Sequence, residues 1–156
     1  MNTEIRQLIK RIEQVNTGEP WFGRSVFEIL EQADPKKVSL KHKSTDHSLL
    51  EILWHMNTWA GFTLKRIEKD TENDMAAFEQ LDWRVIDPKI HTWDKGLKEF
   101  KSTQKKIISR LKKKKDPFLG ETVDYRKYNF RFLINGMIEH NIYHLGQIAY
   151  LIKTLH

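Results

Sequence analysis

Along most of the chain, apolar residues recur every three to four positions, the period of helices that bury one face. Ile5, Leu8, Ile9, Ile12 and Val15 mark a first amphipathic segment. Thr17-Gly18-Glu19-Pro20 interrupts it. Pro20 is placed to open the next helical piece, because a first-turn residue needs no amide donor. That piece carries Trp21, Val26, Phe27 and Leu30, and Asp34-Pro35 ends it. Ser48-Leu49-Leu50-Glu51 reads as a capping box, with Ser48 as N-cap and Glu51 reaching back to its amide. A wide apolar stripe follows in a second main helix, through Ile52, Leu53, Met56, Trp59, Ala60, Thr63, Leu64 and Ile67, and fades near Asp70.

Residues 71–90 break the period. They offer one short helical turn at 75–78 and then a loop rich in large apolar side chains, with a short strand-like piece at Val85-Ile86. So long an irregular stretch is either functional or a packed cover over one end of the fold. A third main helix begins near Thr92-Trp93-Asp94 and carries Leu97, Phe100, Ile107, Ile108 and Leu111. A fourth runs from about Lys127 to Lys153, with Phe130, Leu133, Ile134, Met137, Ile138, Leu145, Ile148, Ala149 and Ile152. The expected fold is all-α, an antiparallel four-helix bundle forming a single domain over residues 1–156. A chain of 156 residues can bury about two-thirds of its unfolded surface.

Composition narrows the chemistry. Cysteine is absent, which excludes disulfides and thiolate ligands and leaves His, Asp, Glu or water for any metal. No apolar run is long enough to cross a membrane. Residues 1–6 lack a hydrophobic signal core; with the absent cysteine this fits a cytoplasmic protein. The net charge is +6, and much of it sits in Lys112-Lys113-Lys114-Lys115 beside Lys105-Lys106. Lysines near a helix C-terminus meet a favourable dipole, and Asp116-Pro117 follows as a stop signal. A solvated helix end is therefore expected there, in preference to a nucleic-acid patch.

His140 and His144 carry the sharpest chemical signal. A four-residue step on a helix sets two side chains one above the other, about 5–6 Å apart at Cβ. They share a stripe with Leu133, Met137 and Leu151, so both rings face the core. A lone inward histidine is more often a hydrogen-bonded core residue than a ligand. Two buried imidazoles, however, must find partners for four ring nitrogens, and a metal ion satisfies one on each ring. His55, inward on the second main helix with Ile52 and Trp59, is the third candidate ligand. Three histidines leave an open position, the count of a catalytic centre, where a closed structural site has four. Glu51, one turn before His55, is better explained by the capping box than as a ligand. Gln147 can hydrogen-bond a ligand or bound water, Tyr143 can face a neighbouring helix or a subunit interface, and Trp54, Trp59 and Trp83 can line a pocket. Gly146 permits close helix packing or does nothing specific. His42, His47, His91 and His156 read as ordinary surface residues.

Three motifs in order, Ser48-x-x-Glu51-x-x-x-His55, Asp82-Trp83 and His140-x-x-Tyr143-His144-x-Gly146-Gln147, resemble those of the DinB superfamily of DinB/YfiT-like metalloenzymes. The resemblance covers essentially the whole chain from Trp21-Phe22-Gly23-Arg24 onward. It implies a four-helix bundle holding a divalent metal on His55, His140 and His144, zinc or nickel foremost, with iron or manganese as further options. It implies a homodimer. Members of that superfamily include S-transferases that use a low-molecular-weight thiol (bacillithiol, mycothiol or glutathione), a maleylpyruvate isomerase and metal-dependent hydrolases.

Two classes of function follow. The first is an enzyme acting on a small-molecule substrate, a thiol-dependent S-transferase ahead of a hydrolase, in which the metal lowers the pKa of a bound thiol or of water. The second is a non-catalytic, metal-stabilised dimeric binding module, which predicts a large loss of thermal stability on chelation and no turnover.

Overall fold

The computed structural model describes residues 2–72 and 74–155. Among the described residues there are six α-helices and no strand: α1 Thr3–Thr17, α2 Val26–Leu30, α3 Leu49–Ile67, α4 Met75–Gln80, α5 Trp93–Leu111 and α6 Phe130–Thr154, with a 3₁₀ turn at Asp116–Gly120. A single Thr122–Asn129 bridge closes the loop before α6.

Most helices start where a side chain can take up free amides. Ser48 accepts from the Glu51 amide while Glu51 accepts from the Ser48 amide at 2.7 Å, so the capping box forms as read. Thr92 and Asn129 cap α5 and α6. The start of α1 is served from far along the chain. The Asp116 carboxylate accepts from the amides of Thr3, Glu4 and Ile5 at 2.8–3.2 Å, an anion at the positive end of a helix dipole.

Three boundaries differ from the sequence expectation. Pro20 does not open a helix. It begins a turn closed by the Gly23 amide on the Pro20 carbonyl, and Trp21 stands fully exposed. Helix α2 starts only after Ser25, whose hydroxyl supplies the cap that Pro20 cannot, and it ends at Leu30, before Asp34-Pro35. Helix α6 begins at Phe130 rather than near Lys127, because Asn129 offers the cap. Val85-Ile86 form no strand, and Val85 is exposed. The turn expected at 75–78 extends into α4, capped by Asp74.

Helix α3 is the central element. It packs along both α5 and α6, while α1 lies against α2, α5 and α6. Fifteen of its 19 residues are buried, so it has almost no solvent face. Leu53, Met56 and Ile67 are fully buried, each contributing about 1.5–3 kcal/mol of apolar burial. Lys112 caps the C-terminal end of α5, and the lysines after it follow the helix end as the dipole argument expects. No helix is long and apolar enough to cross a membrane among the described residues.

Candidate functional site

His55 lies in the second turn of α3, and His140 and His144 lie one turn apart on α6. Because α3 and α6 pack side by side, the three rings meet in the seam between them. The Nε2 atoms of His55 and His140 are 3.0 Å apart, and those of His144 and His140 are 3.1 Å apart. One ligand nitrogen from each ring falls within 4.8 Å of the other two. His55 and His144 are buried and His140 is half-buried.

The outer nitrogens decide which atoms face the centre. Nδ1 of His144 lies 2.6 Å from Gln147 Oε1, an acceptor, so the proton sits on Nδ1 and Nε2 keeps its lone pair. Nδ1 of His55 approaches Asp82 Oδ1 at 2.7 Å. That approach is off the axis of an aligned hydrogen bond, but a carboxylate so close still draws the proton to Nδ1. The same Asp82 oxygen accepts from Trp59 Nε1 at 2.7 Å, which fixes the carboxylate.

This arrangement does not close by itself. A proton on His140 Nε2 can serve one of its two contacts near 3 Å well, which leaves the other as lone pair against lone pair. A cation bound about 2.0–2.1 Å from each nitrogen would set ligand nitrogens about 3.0–3.4 Å apart, close to both observed contacts. The donor set therefore fits a metal ion better than it fits a proton. Burial, the main cause, together with the neighbouring imidazoles, lowers His55 to about 4 and His140 to about 3. His144 is also lowered by burial, against the opposing effect of Gln147. All three rings are neutral at pH 7, the form that binds metal.

The segment after α4 brings Asp82 and Trp83 to this point. The Thr58 hydroxyl on α3 donates to the Leu81 carbonyl at 2.9 Å and accepts from Arg84 Nη2 at 2.6 Å. The Arg84 guanidinium then lies over the Trp54 ring. Pinned on both sides, Trp83 is stacked between two imidazoles: His55 at 3.9 Å and 7°, and His47 at 3.7 Å and 5° between ring planes. The irregular stretch is thus both a cover and part of the site.

Among the other expected residues, Gln147 reaches His144 as a hydrogen-bond partner, although it is otherwise exposed. Trp59 holds Asp82. Glu51 is occupied by its cap and by Lys41 at 3.0 Å. Tyr143 is exposed, with its ring nearly perpendicular to that of His144. Gly146 has open space beside it, so close packing does not explain it.

Two surface assignments need correction. His47 belongs to the ring stack, and nothing in helical periodicity could place a loop residue there. His91 is half-buried, accepting from the Asp87 amide at 2.9 Å and packing edge-to-face with Trp54. His42 bonds Ser44 and Thr45 within its own turn, and His156 lies outside the described residues. The hold of Asp82 on His55 was visible in the sequence only as an Asp-Trp pair in a loop.

No match to the chain is found among curated proteins. A family model for the DinB superfamily matches residues 23–148, a span that contains His47, His55, Asp82, Trp83, His140 and His144, and the chain belongs to that superfamily.

Proposed function

We propose that this protein is a metal-dependent enzyme of a thiol S-transferase class. In this reading the domain spans the whole chain, α1, α3, α5 and α6 form an antiparallel four-helix bundle, and His55, His140 and His144 hold zinc or nickel. The observation that carries the reading is the convergence of three Nε2 atoms, with the outer nitrogens of His55 and His144 facing Asp82 and Gln147.

A divalent cation at this position supplies Lewis acidity, which lowers the pKa of a thiol and makes a thiolate available at neutral pH. The chain contains no cysteine, so the sulfur nucleophile comes from a second small molecule. Asp82 and Gln147 fix the tautomers of His55 and His144. Trp83 and His47 shield one side of the histidine cluster with a ring stack. Glu51 is tied to Ser48 and Lys41, and Asp82 to Trp59 and His55, so neither is poised as a general base. A thiol whose pKa the metal has lowered needs no such base.

The test is turnover of an aryl halide electrophile with bacillithiol, mycothiol or glutathione, in zinc- and nickel-loaded protein and in His144→Ala. The reading expects thiol- and metal-dependent consumption that disappears in a folded His144→Ala variant. Equal turnover in that variant, or none with any thiol in loaded protein, contradicts it.

A further inference from the structure

A cavity of ≈160 Å³ opens beside His140, between α3, α6 and the loop before α6. Its walls are mainly Trp59, Phe62, Tyr128, Phe132, Leu133 and Met137. The polar groups of its α3 wall are already used. Trp59 Nε1 donates to Asp82, and the Thr63 hydroxyl donates to the Trp59 carbonyl at 2.9 Å. His140 and the Tyr128 phenol are then the remaining polar side chains of a mostly apolar pocket.

Its size and lining specify an occupant. The pocket is open on one side, where Phe132 is exposed, and its volume is close to that of an apolar cavity of about 150 Å³ that accepts benzene. A ligand rich in polar atoms would bury most of them against apolar walls, which is unfavourable. The geometry points to a binding site for an aromatic-ring-sized hydrocarbon group of the small molecule processed at the histidines. As a statement about substrate, this rests on the metal-centre reading; as a statement about ligand chemistry, it rests on the cavity alone.

Gly136 supplies a clean test. It lines the cavity, and a Cβ built there meets no atom within 4 Å. In Gly136→Leu the side chain grows from that open Cβ position into the pocket, and replacing glycine in a helix adds stability. Metal-free protein is titrated with toluene and followed through the Met137 and Leu133 methyl resonances. Zinc uptake is measured separately on wild type and His144→Ala.

The expected result is saturable toluene binding that shifts those methyls and weakens about tenfold or more in Gly136→Leu, with zinc uptake and melting temperature maintained. No saturable binding, or equal binding in Gly136→Leu, overturns the inference. So does a change in oligomeric state in that variant with toluene binding unaltered, because a second copy of the chain would then be what covers the cavity. If toluene binds as expected but wild type takes up no zinc, the metal reading fails alone and the aromatic site stands.

Discussion

The two long seams of α3 are built to opposite specifications. Toward α5, Gly96 lets the helices come so close that an added Cβ would lie 3.0 Å from Leu53 Cδ2 and 3.2 Å from Trp54 Nε1. There Asn57 Nδ2 stitches the seam to the Gly96 carbonyl at 2.9 Å. Toward α6, Gly136 faces open space, and the polar atoms in the seam are three imidazole nitrogens set against one another. The first seam spends its glycine on contact and the second on a cavity. Close contact marks one side of α3, even though Trp54 Nε1 and Asn57 Oδ1 there are buried without a hydrogen-bond partner among the described residues, and convergent imidazoles mark the other.

The largest expected effect comes from removing a ring from the open seam. His140→Ala eliminates the nitrogen shared by both short contacts, so stoichiometric zinc uptake should be lost in competition titrations while helix content by circular dichroism is kept. Retained uptake would place the metal elsewhere. Asp82→Asn should come next: it keeps the shape but removes the charge that orients His55, and metal affinity should fall about 10–100-fold. An unchanged affinity would reduce Asp82 to an anchor for Trp59.

The two glycines then separate the seams by stability alone. Gly96→Leu overpacks the closed seam and should cost about 1–3 kcal/mol in urea unfolding. Gly136→Ala should gain about 0.5–1 kcal/mol. Equal responses would erase the contrast.

A further effect is one of pH. Burial holds the three rings neutral in the folded, metal-free protein, whereas the unfolded chain takes up protons below about 6.5. The unfolded state therefore binds more protons, and folded stability should decline as pH falls from about 6.5 through about 4, the value for His55, toward about 3, that for His140. Melting temperatures of metal-free protein that stay flat from pH 7.5 to 5 would argue against these shifts.

The helices and the inward turn of His55, His140 and His144 were legible because periodicity encodes burial, and burial is what brings the rings together. The capping box was legible because it is local, a contact between residues three apart. What periodicity could not supply was anything set by the path of a loop. The stack of His47 on Trp83 and the reach of Asp82 to His55 depend on Thr58 and Arg84 pinning the chain after α4. The Pro20 expectation failed for a related reason: Pro fits a turn as well as a first helical position, and Ser25 was the better cap.

The most direct measurement is a cobalt titration of metal-free, untagged wild type and His140→Ala, with X-ray absorption of the loaded wild-type protein. The account predicts one equivalent bound by wild type, three imidazole nitrogens about 2.0–2.1 Å from the metal, and no such site in His140→Ala. A wild-type protein that binds no cobalt, or a variant with an unchanged spectrum, would contradict it.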